Sequence, residues 1–188
     1  MGQAFTPPSR DFLRELQVLR REVDALKRMP SGSRSISTEY LAPIPACRVH
    51  RTTSQNLVSG VFTGITYDAE LQDAWGMHDT TTNLHRVTAP IAGWYHVGAV
   101  TGISANTGGT NRELYLQKNL DATWLDIRWA EASLLPNSQP ARMSVSTVVY
   151  LAAGDWMSAV AYQNSGGLLT TQNDAQLRDE FWMCWLGN

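Results

Sequence analysis

Few residues in the sequence have the types and spacing that catalysis or metal binding requires, and the first candidates are the neighbours His78 and Asp79. A histidine beside an aspartate has the side chains of a metal site or of an acid–base pair. The alternative is a turn in which the aspartate accepts hydrogen bonds from backbone amides, the common role of Asp in turns. We favour the turn, and we expect no catalytic residue and no metal ligand at these positions.

Acidic residues in the same region form a second candidate site, consisting of Asp68, Glu70, Asp73 and Asp79. Carboxylate oxygens are the ligands that calcium prefers, but the spacing does not match an EF-hand loop. Calcium binding is therefore left open as an alternative. The four histidines and two cysteines match no zinc-binding pattern.

Motifs for nucleophilic catalysis and phosphate binding are missing from the sequence. It contains no G-x-S-x-G, no P-loop and no pair of carboxylates on a recognisable scaffold. We expect a protein that is not an enzyme and holds no cofactor. A glycan depolymerase, which needs two facing carboxylates, is the least favoured alternative.

The composition excludes several classes of protein. The 188 residues are 43% apolar and 17% charged, with a net charge of −2. This is too apolar for a disordered chain, and no apolar run approaches the roughly 18 residues of a membrane helix. The small negative charge argues against nucleic-acid binding. We expect no nucleic-acid partner, no membrane insertion and no signal peptide.

A charged segment without Gly or Pro occupies residues 11–29. Its apolar residues recur at alternating steps of four and three, the seam of a coiled coil: Phe12, Leu16, Leu19, Val23 and Leu26. The alternative is an amphipathic helix packed on its own body. Because so few heptads cannot hold an oligomer together alone, a second interface is required.

The charges beside the seam support a parallel coiled coil. In the heptad register, Glu15 lies opposite Arg20 of the neighbouring chain, and Glu22 lies opposite Lys27. Both predicted interchain ion pairs join opposite charges. We therefore predict a docking tail over residues 1–10, a coiled-coil stalk over 11–29, a linker over 30–45 and a head over 46–188.

The head has a period of two instead of the helical period. Eight or so strand-like runs alternate with turn signals such as Asn106-Thr107-Gly108-Gly109 and Gly154-Asp155. This spacing predicts an all-β sandwich or barrel. All seven Trp lie beyond residue 70, which fits either an ordinary core or an aromatic surface between subunits.

The middle of the head resembles a known family of trimeric jelly rolls, that of complement component 1q and tumour necrosis factor, and is most similar to versions in phage structural proteins. The pieces that carry the resemblance are Tyr67, Asp68, Asp73, Gly76, Met77, His78, Asp79, Thr88, Pro90, Gly93 and Tyr95. The Gly-Asp turn at residues 154–155 and the final aromatic strand, FWMCWLGN, are also similar to the family.

The resemblance implies a homotrimer whose aromatic-rich inner surface lies against the threefold axis. It further implies a virion component, either a minor tail protein forming a phage fibre or a spike for host attachment. Residues 1–30 would bind other virion proteins, and the head would bind a host cell-surface glycan. The protein would assemble in the host cytoplasm and be exposed on the particle. The alternative is a capsid decoration or head fibre without a ligand.

Loops are where we expect any ligand to bind, because rigid scaffolds present binding residues on loops. The long connections are predicted at residues 71–84, 104–111 and 131–141. Within the first, Trp75, His78 and Asp79 form the candidate ligand-contact loop. The resemblance also implies that the strands of Cys47 and Cys184 pair side by side, and we expect both thiols to be free.

Overall fold

The structure is a computed structural model that describes residues 43–119, 128–134, 138–173 and 178–188, together with Val18, Arg20 and Arg21. The chain divides into two compact units, Met1–Ala42 and Pro43–Asn188. The predicted docking tail, seam and linker fall almost wholly outside the described residues, as do Glu15, Glu22 and Lys27 of the ion pairs. These features stay predictions.

The described part of the second unit is all β. Its twelve strands are β1 (Ala46–His50), β2 (Asn56–Leu57), β3 (Thr63–Gly64), β4 (Ala69–Asp73), β5 (Val87–Thr88), β6 (Gly93–Ile103), β7 (Arg112–Lys118), β8 (Arg128–Leu134), β9 (Ala141–Leu151), β10 (Trp156–Gln163), β11 (Leu169–Gln172) and β12 (Glu180–Gly187).

The larger sheet has seven strands in the described residues and is organised around β6. Its order is β2-β11-β6-β12-β1-β4, and β9 also pairs with β6. β9 pairs antiparallel with all eleven residues of β6, from Gly93 opposite Leu151 to Ile103 opposite Ala141. β12 and β11 pair with successive parts of the same strand. Thus β6 positions most of the sheet.

The smaller sheet has five described strands and is organised around β10. Its order is β3-β10-β7-β8, and β5 also pairs with β10. β7 pairs with β10 from Arg112 opposite Gln163 to Lys118 opposite Met157. The two sheets enclose one apolar core, whose largest buried side chains include Tyr67, Tyr95, Leu114, Leu116, Phe181 and Met183. The predicted all-β sandwich is confirmed.

The longest predicted strands are observed, but two of the predicted loops begin or end differently. β4 extends to Asp73, so the first loop begins after this residue and not at residue 71. β8 extends to Leu134, which shortens the third predicted loop. The run at residues 61–67 forms a strand only at Thr63–Gly64. In a strand of so few residues, the alternation of apolar and polar residues is too short to show where the strand begins and ends.

The two cysteines lie on neighbouring strands, as predicted, but on opposite faces of the larger sheet. In the pairing of β1 with β12, Ala46 is opposite Cys184 and Cys47 is opposite Met183. Cys47 is buried in the core and Cys184 is half-buried on the other side, and both thiols are free. Burial, with the nearby charges of Asp73 and Glu70, raises the pKa of the Cys47 thiol. Because Cys184 is opposite Ala46 and not Cys47, the two thiols lie on opposite faces of the sheet.

Asp179 is a fully buried carboxyl group just before β12, with 0% of the residue exposed. Its Oδ1 accepts a hydrogen bond from the Gly102 amide at 3.2 Å, whereas no described residue is bonded to Oδ2. Burial raises the pKa of Asp179 to about 6, although hydrogen bonds from Thr171 and Gly102 and the charges of Arg142 and Arg51 oppose the shift. The carboxyl group therefore keeps its proton to a higher pH than an ordinary aspartate does.

We predict that Asp179→Asn removes a pH dependence of the folding stability. The pKa of this group is about 6 in the folded state against 3.8 for an ordinary aspartate, so the folded state binds the proton more tightly. The free energy of unfolding must then fall as the pH rises from about 4 to about 6, by up to about 3 kcal/mol. Urea unfolding of both proteins at about pH 4 and about pH 7 measures this slope.

Asp68→Asn is the matched control for this measurement. Although burial raises the pKa of Asp68, hydrogen bonds from Thr52 outweigh it and lower the pKa below 3.8. Its contribution to stability is therefore lost only below that range of pH. Equal slopes for the unmodified protein and Asp179→Asn would show that Asp179 does not cause the dependence.

Candidate functional site

The outward side of the larger sheet carries an aromatic and aliphatic surface, which we call the outer face and define by Trp94, His96, Val148, Tyr150 and Trp182. Residues directly opposite each other in an antiparallel pair point to the same side of the sheet. Trp94 is opposite Tyr150, and His96 is opposite Val148. The alternate residues of the same strands, such as Tyr95 and Val149, point into the core. Successive residues of each strand therefore lie on opposite faces of the sheet.

Contacts between rings order the outer face. Trp94 and Tyr150 pack edge to face, with ring centroids 5.7 Å apart. Trp182 lies on β12 opposite Gly98 and packs at a tilt against His96, with centroids 6.3 Å apart. A Cβ atom at Gly98 would overlap the Trp182 indole. Glycine is therefore required where the Trp182 ring covers β6.

The tryptophans of the outer face, Trp94 and Trp182, lie at the surface of the head, whereas Trp185 packs against its core. Trp94 is 48% exposed, Trp75 is 38% exposed, and Trp156, Trp182 and Trp185 are half-buried. Tyrosine, phenylalanine, methionine and branched aliphatic residues fill the core instead. Tyr150 and Val148 add further exposed apolar surface to the outer face, at 49% and 52%. An ordinary core therefore does not explain the tryptophans of the outer face.

The loop between β4 and β5 is held by the carboxylate of Asp73, the last residue of β4. Its two oxygens accept hydrogen bonds from the backbone amides of Met77 and His78 at 2.9 and 2.8 Å. The Trp75 indole donates to the Pro43 carbonyl at 2.6 Å. This loop consequently lies at the end of the sandwich where Pro43 precedes β1, whereas the 104–111 loop follows β6 at the opposite end.

His78 and Asp79 make local contacts that hold the same loop. The buried His78 ring lies 3.4 Å from Glu70 Oε1 and 3.2 Å from the Leu84 carbonyl oxygen. Hydrogen bonds from the hydroxyls and amides of Thr81 and Thr82 lower the pKa of Asp79. Both oxygens of Asp79 thus serve the turn. This is the turn geometry favoured from the sequence.

The acidic residues do not converge on a metal site. Asp68 bonds the Thr52 amide and hydroxyl, both at 2.7 Å, while Asp73 and Asp79 bond separate parts of the loop. Within the described ranges, no group of three or more His, Cys, Asp or Glu is placed to hold a metal ion. The same residues include no helix long and apolar enough to cross a membrane.

A cavity of about 190 Å³ lies between this loop and the start of β10, and we call it the base cavity. Arg86 and Trp156 form one side, where the guanidinium carbon lies 4.3 Å from the centroid of the indole. His85 meets the same indole edge on, at 5.9 Å between centroids. The lining residues are Gly76, Met77, His78, Asp79, Thr82, Asn83, Arg86, Thr88 and Trp156.

The base cavity contains two of the three residues in the predicted ligand-contact loop. His78 and Asp79 line it, whereas Trp75 bonds to Pro43 and is not part of the lining. Sequence reasoning missed Arg86 and Trp156, which are 70 positions apart. No local pattern around either residue indicates that the two meet.

Comparison with known proteins places the chain near one viral protein. No family model matches the sequence. It is 32% identical over 139 residues to the uncharacterized protein L688 of Acanthamoeba polyphaga mimivirus, an alignment that covers 73% of this chain and 56% of the relative. The chain thus spans about half the length of the curated relative that it matches.

Solved structures identify the fold as a jelly roll similar to tumour necrosis factor. Eiger TNF from S. frugiperda superposes with a TM-score of 0.55 at 14% identity, covering 78% of this chain and 95% of that one. Murine APRIL superposes with a TM-score of 0.57 at 7% identity, covering 77% of this chain and all of the other. The jelly-roll prediction for the head is therefore confirmed at the level of fold.

We predict that Asp73→Ala loosens the wall of the base cavity. The change removes acceptors from two backbone amides, and the loss of comparable caps costs about 1–2 kcal/mol. Hydrogen exchange at the amides of Met77 and His78 should become faster, and the urea midpoint should fall. Asp73→Asn, which keeps one acceptor oxygen, should show a smaller effect. Unchanged exchange at both amides in Asp73→Ala would contradict this role.

Proposed function

We propose that this chain forms the homotrimeric, non-enzymatic head of a virion surface protein that attaches the particle to its host. The observation that carries the proposal is the outer face. Contiguous exposed apolar surface is unusual in a monomeric protein and marks sites of association. The outer face, formed by β6, β9 and β12, is therefore the surface of the head best suited to contact with a partner.

A second copy of the same chain is the partner that fits the outer face. Closed symmetric assemblies are the common state of soluble oligomers, and rotational symmetry places the same patch of every subunit at one axis. The edge-to-face pair of Trp94 and Tyr150 provides large apolar area with little side-chain freedom to lose. The predicted parallel stalk over residues 11–29 would hold the chains of such an assembly parallel.

The placement on a virion rests on two supports. One is the similarity to a protein of a large virus, which covers most of this chain. The other is the predicted arrangement of a docking tail, stalk and linker before a globular head. Such an arrangement keeps the head away from the particle, which suits a tail fibre or spike that recognises a cell-surface glycan. Residues 1–30 are proposed to bind the other virion proteins.

We predict that Val148→Asp prevents trimer formation and that Val58→Asp does not. Both valines are 52% exposed in the protomer, but Val148 lies on the outer face and Val58 follows β2 at the opposite end from Pro43. Val148→Asp would bury an unpaired carboxylate in each of three subunits, which is strongly unfavourable. Light scattering should give three times the 20.8 kDa protomer mass for the unmodified chain and for Val58→Asp.

Circular dichroism and urea unfolding separate loss of assembly from loss of folding in these variants. Val148→Asp should keep the β spectrum of the head, because its side chain does not contribute to the core. A monomeric mass for the unmodified chain at micromolar concentration would overturn the homotrimer. A trimeric, folded Val148→Asp would place the interface elsewhere on the head.

We predict that antibodies against the head label the outside of intact virions. Labelling at the tail tip is expected for an attachment fibre, because that position meets the host first. Labelling spread over the capsid lattice would replace attachment with capsid decoration. Absence of the chain from purified virions, judged by mass spectrometry, would overturn the virion placement while leaving the homotrimer untouched.

A further inference from the structure

We propose that the distal end of the head binds an internal water molecule between Asp179, Tyr67 and Thr101. The distal end is the end of the larger sheet where β1 finishes at His50, away from Pro43. All three residues belong to one protomer, so the inference goes beyond the proposed function and does not depend on it. It rests on polar atoms that are buried without a partner among the described residues.

Three polar side chains at this end are fully buried and yet leave an atom unpaired. Asp179, Tyr67 and Thr101 are each 0% exposed. Within the described part of the chain, no hydrogen bond reaches Asp179 Oδ2, the Tyr67 hydroxyl or the Thr101 hydroxyl. A buried polar group without a partner is destabilising, and native proteins pair such groups with protein atoms or with ordered water. Three of them in one region therefore indicate a bound molecule.

Asp179 extends β12 by one residue between its two neighbouring strands. β12 begins at Glu180, which is opposite His50 of β1. The Arg51 amide donates to the Asp179 carbonyl at 3.0 Å and so continues this pairing beyond β1. On the other side, the Gly102 amide of β6 donates to Asp179 Oδ1 at 3.2 Å. The carboxyl group is thus held at the end of β6, and its second oxygen, Oδ2, remains for another donor.

Tyr67 and Thr101 lie on the same side of the larger sheet as this carboxyl group. Residues two positions apart in extended backbone share a face of the sheet. Phe181, two positions after Asp179, is buried in the core, and its ring packs against the Tyr67 ring with centroids 5.8 Å apart. Thr101 lies two positions after the buried Ala99 on β6. The three unpaired atoms therefore belong to the core side of the sheet at its distal end.

Water fits the chemistry of these atoms better than an ion does. An ionised carboxylate only accepts hydrogen bonds, whereas each hydroxyl both donates and accepts. The positive charges of Arg142 and Arg51 act on Asp179 and disfavour a cation beside it. An anion has no proton to donate to Asp179 Oδ2. A water molecule donates to the carboxylate and bonds both hydroxyls, and about three hydrogen bonds are typical of buried waters.

The bound water connects three segments that are distant in the sequence. Thr101 belongs to β6, Tyr67 lies between β3 and β4, and Asp179 directly precedes β12. β6 ends at Ile103, and the 104–111 loop begins there. The water therefore holds the strand end from which this distal loop departs.

A crystal structure of the full-length protein, at a resolution that shows ordered water, tests the site directly. One peak of electron density is expected within about 3.2 Å of Asp179 Oδ2 and of at least one of the two hydroxyls. A direct bond between the Asp179 carboxyl group and either hydroxyl, with no density between them, would overturn the inference. An ion at the same place, recognised by its anomalous signal or by the distances of a metal site, would also overturn it.

Thr101→Val and Thr171→Val are matched variants that detect the water through its effect on stability. Both threonines are 0% exposed, and the Thr171 hydroxyl accepts a hydrogen bond from the Gln55 amide at 3.0 Å. Valine keeps the shape of threonine but has no hydroxyl. Loss of a bonded hydroxyl should lower the urea midpoint by about 0.3–1 M in both variants. Removal of an unpaired Thr101 hydroxyl would instead leave the midpoint unchanged or raise it, which contradicts the inference.

Tyr67→Phe and Tyr95→Phe repeat the comparison at the phenol groups. Both tyrosines are 0% exposed, and Tyr95 donates its hydroxyl proton to the Ile91 carbonyl at 2.7 Å. The urea midpoint should fall in both variants, and the density beside Asp179 Oδ2 should weaken only in Tyr67→Phe. Equal density in Tyr67→Phe and the unmodified protein would remove Tyr67 from the site. A variant that fails to fold leaves the decision to the density in the unmodified protein.

Discussion

Strand β6 places one set of side chains in the core and the other set on the outer face. The rest of the head depends on this constraint, because most strands of the larger sheet are positioned by β6. Tyr95, Val97 and Ala99 point into the core, while Trp94 and His96 point away from it. β9, β11 and β12 all pair with this strand. A slip of one residue in any of these pairings would exchange the buried and outward sides. The burial of the core therefore also determines the composition of the outer face.

Close packing on the outer face strengthens the same constraint. The Trp182 indole covers Gly98, and no other residue type leaves room for the ring at that position. His96 and Trp182 meet on one part of the sheet, and Trp94 and Tyr150 meet on another. Large rings held in this way lose little freedom when a second surface covers them. This preorganisation lowers the entropy that would be lost if a second protein surface covered the outer face.

The base cavity has a different physical origin from the outer face. Its loop is shaped by carboxylates that bond backbone amides, Asp73 at one point and Asp79 at another. Its aromatic wall comes from the first residue of β10, in the smaller sheet. The two surfaces thus use separate residues.

The sequence by itself determined the all-β class and the long strands. β9 shows this most clearly, because Met143, Val145, Val149 and Leu151 are buried whereas the intervening Ser144, Ser146, Val148 and Tyr150 are exposed. The turn role of Asp79 was also readable, because its partners Thr81 and Thr82 are two and three residues away. The coiled-coil seam of residues 11–29 is a prediction of the same local kind.

Only the tertiary structure decided which distant residues meet. Cys47 and Cys184 lie on adjacent strands yet on opposite faces, because the register of β1 with β12 is offset by one residue. The Arg86 guanidinium lies over the Trp156 ring although 70 positions separate the two residues. Alternation shows which side of a strand is apolar, but it carries no information on strand order or register. Those properties follow from how the two sheets close over a single core, and they place the cavity and the outer face.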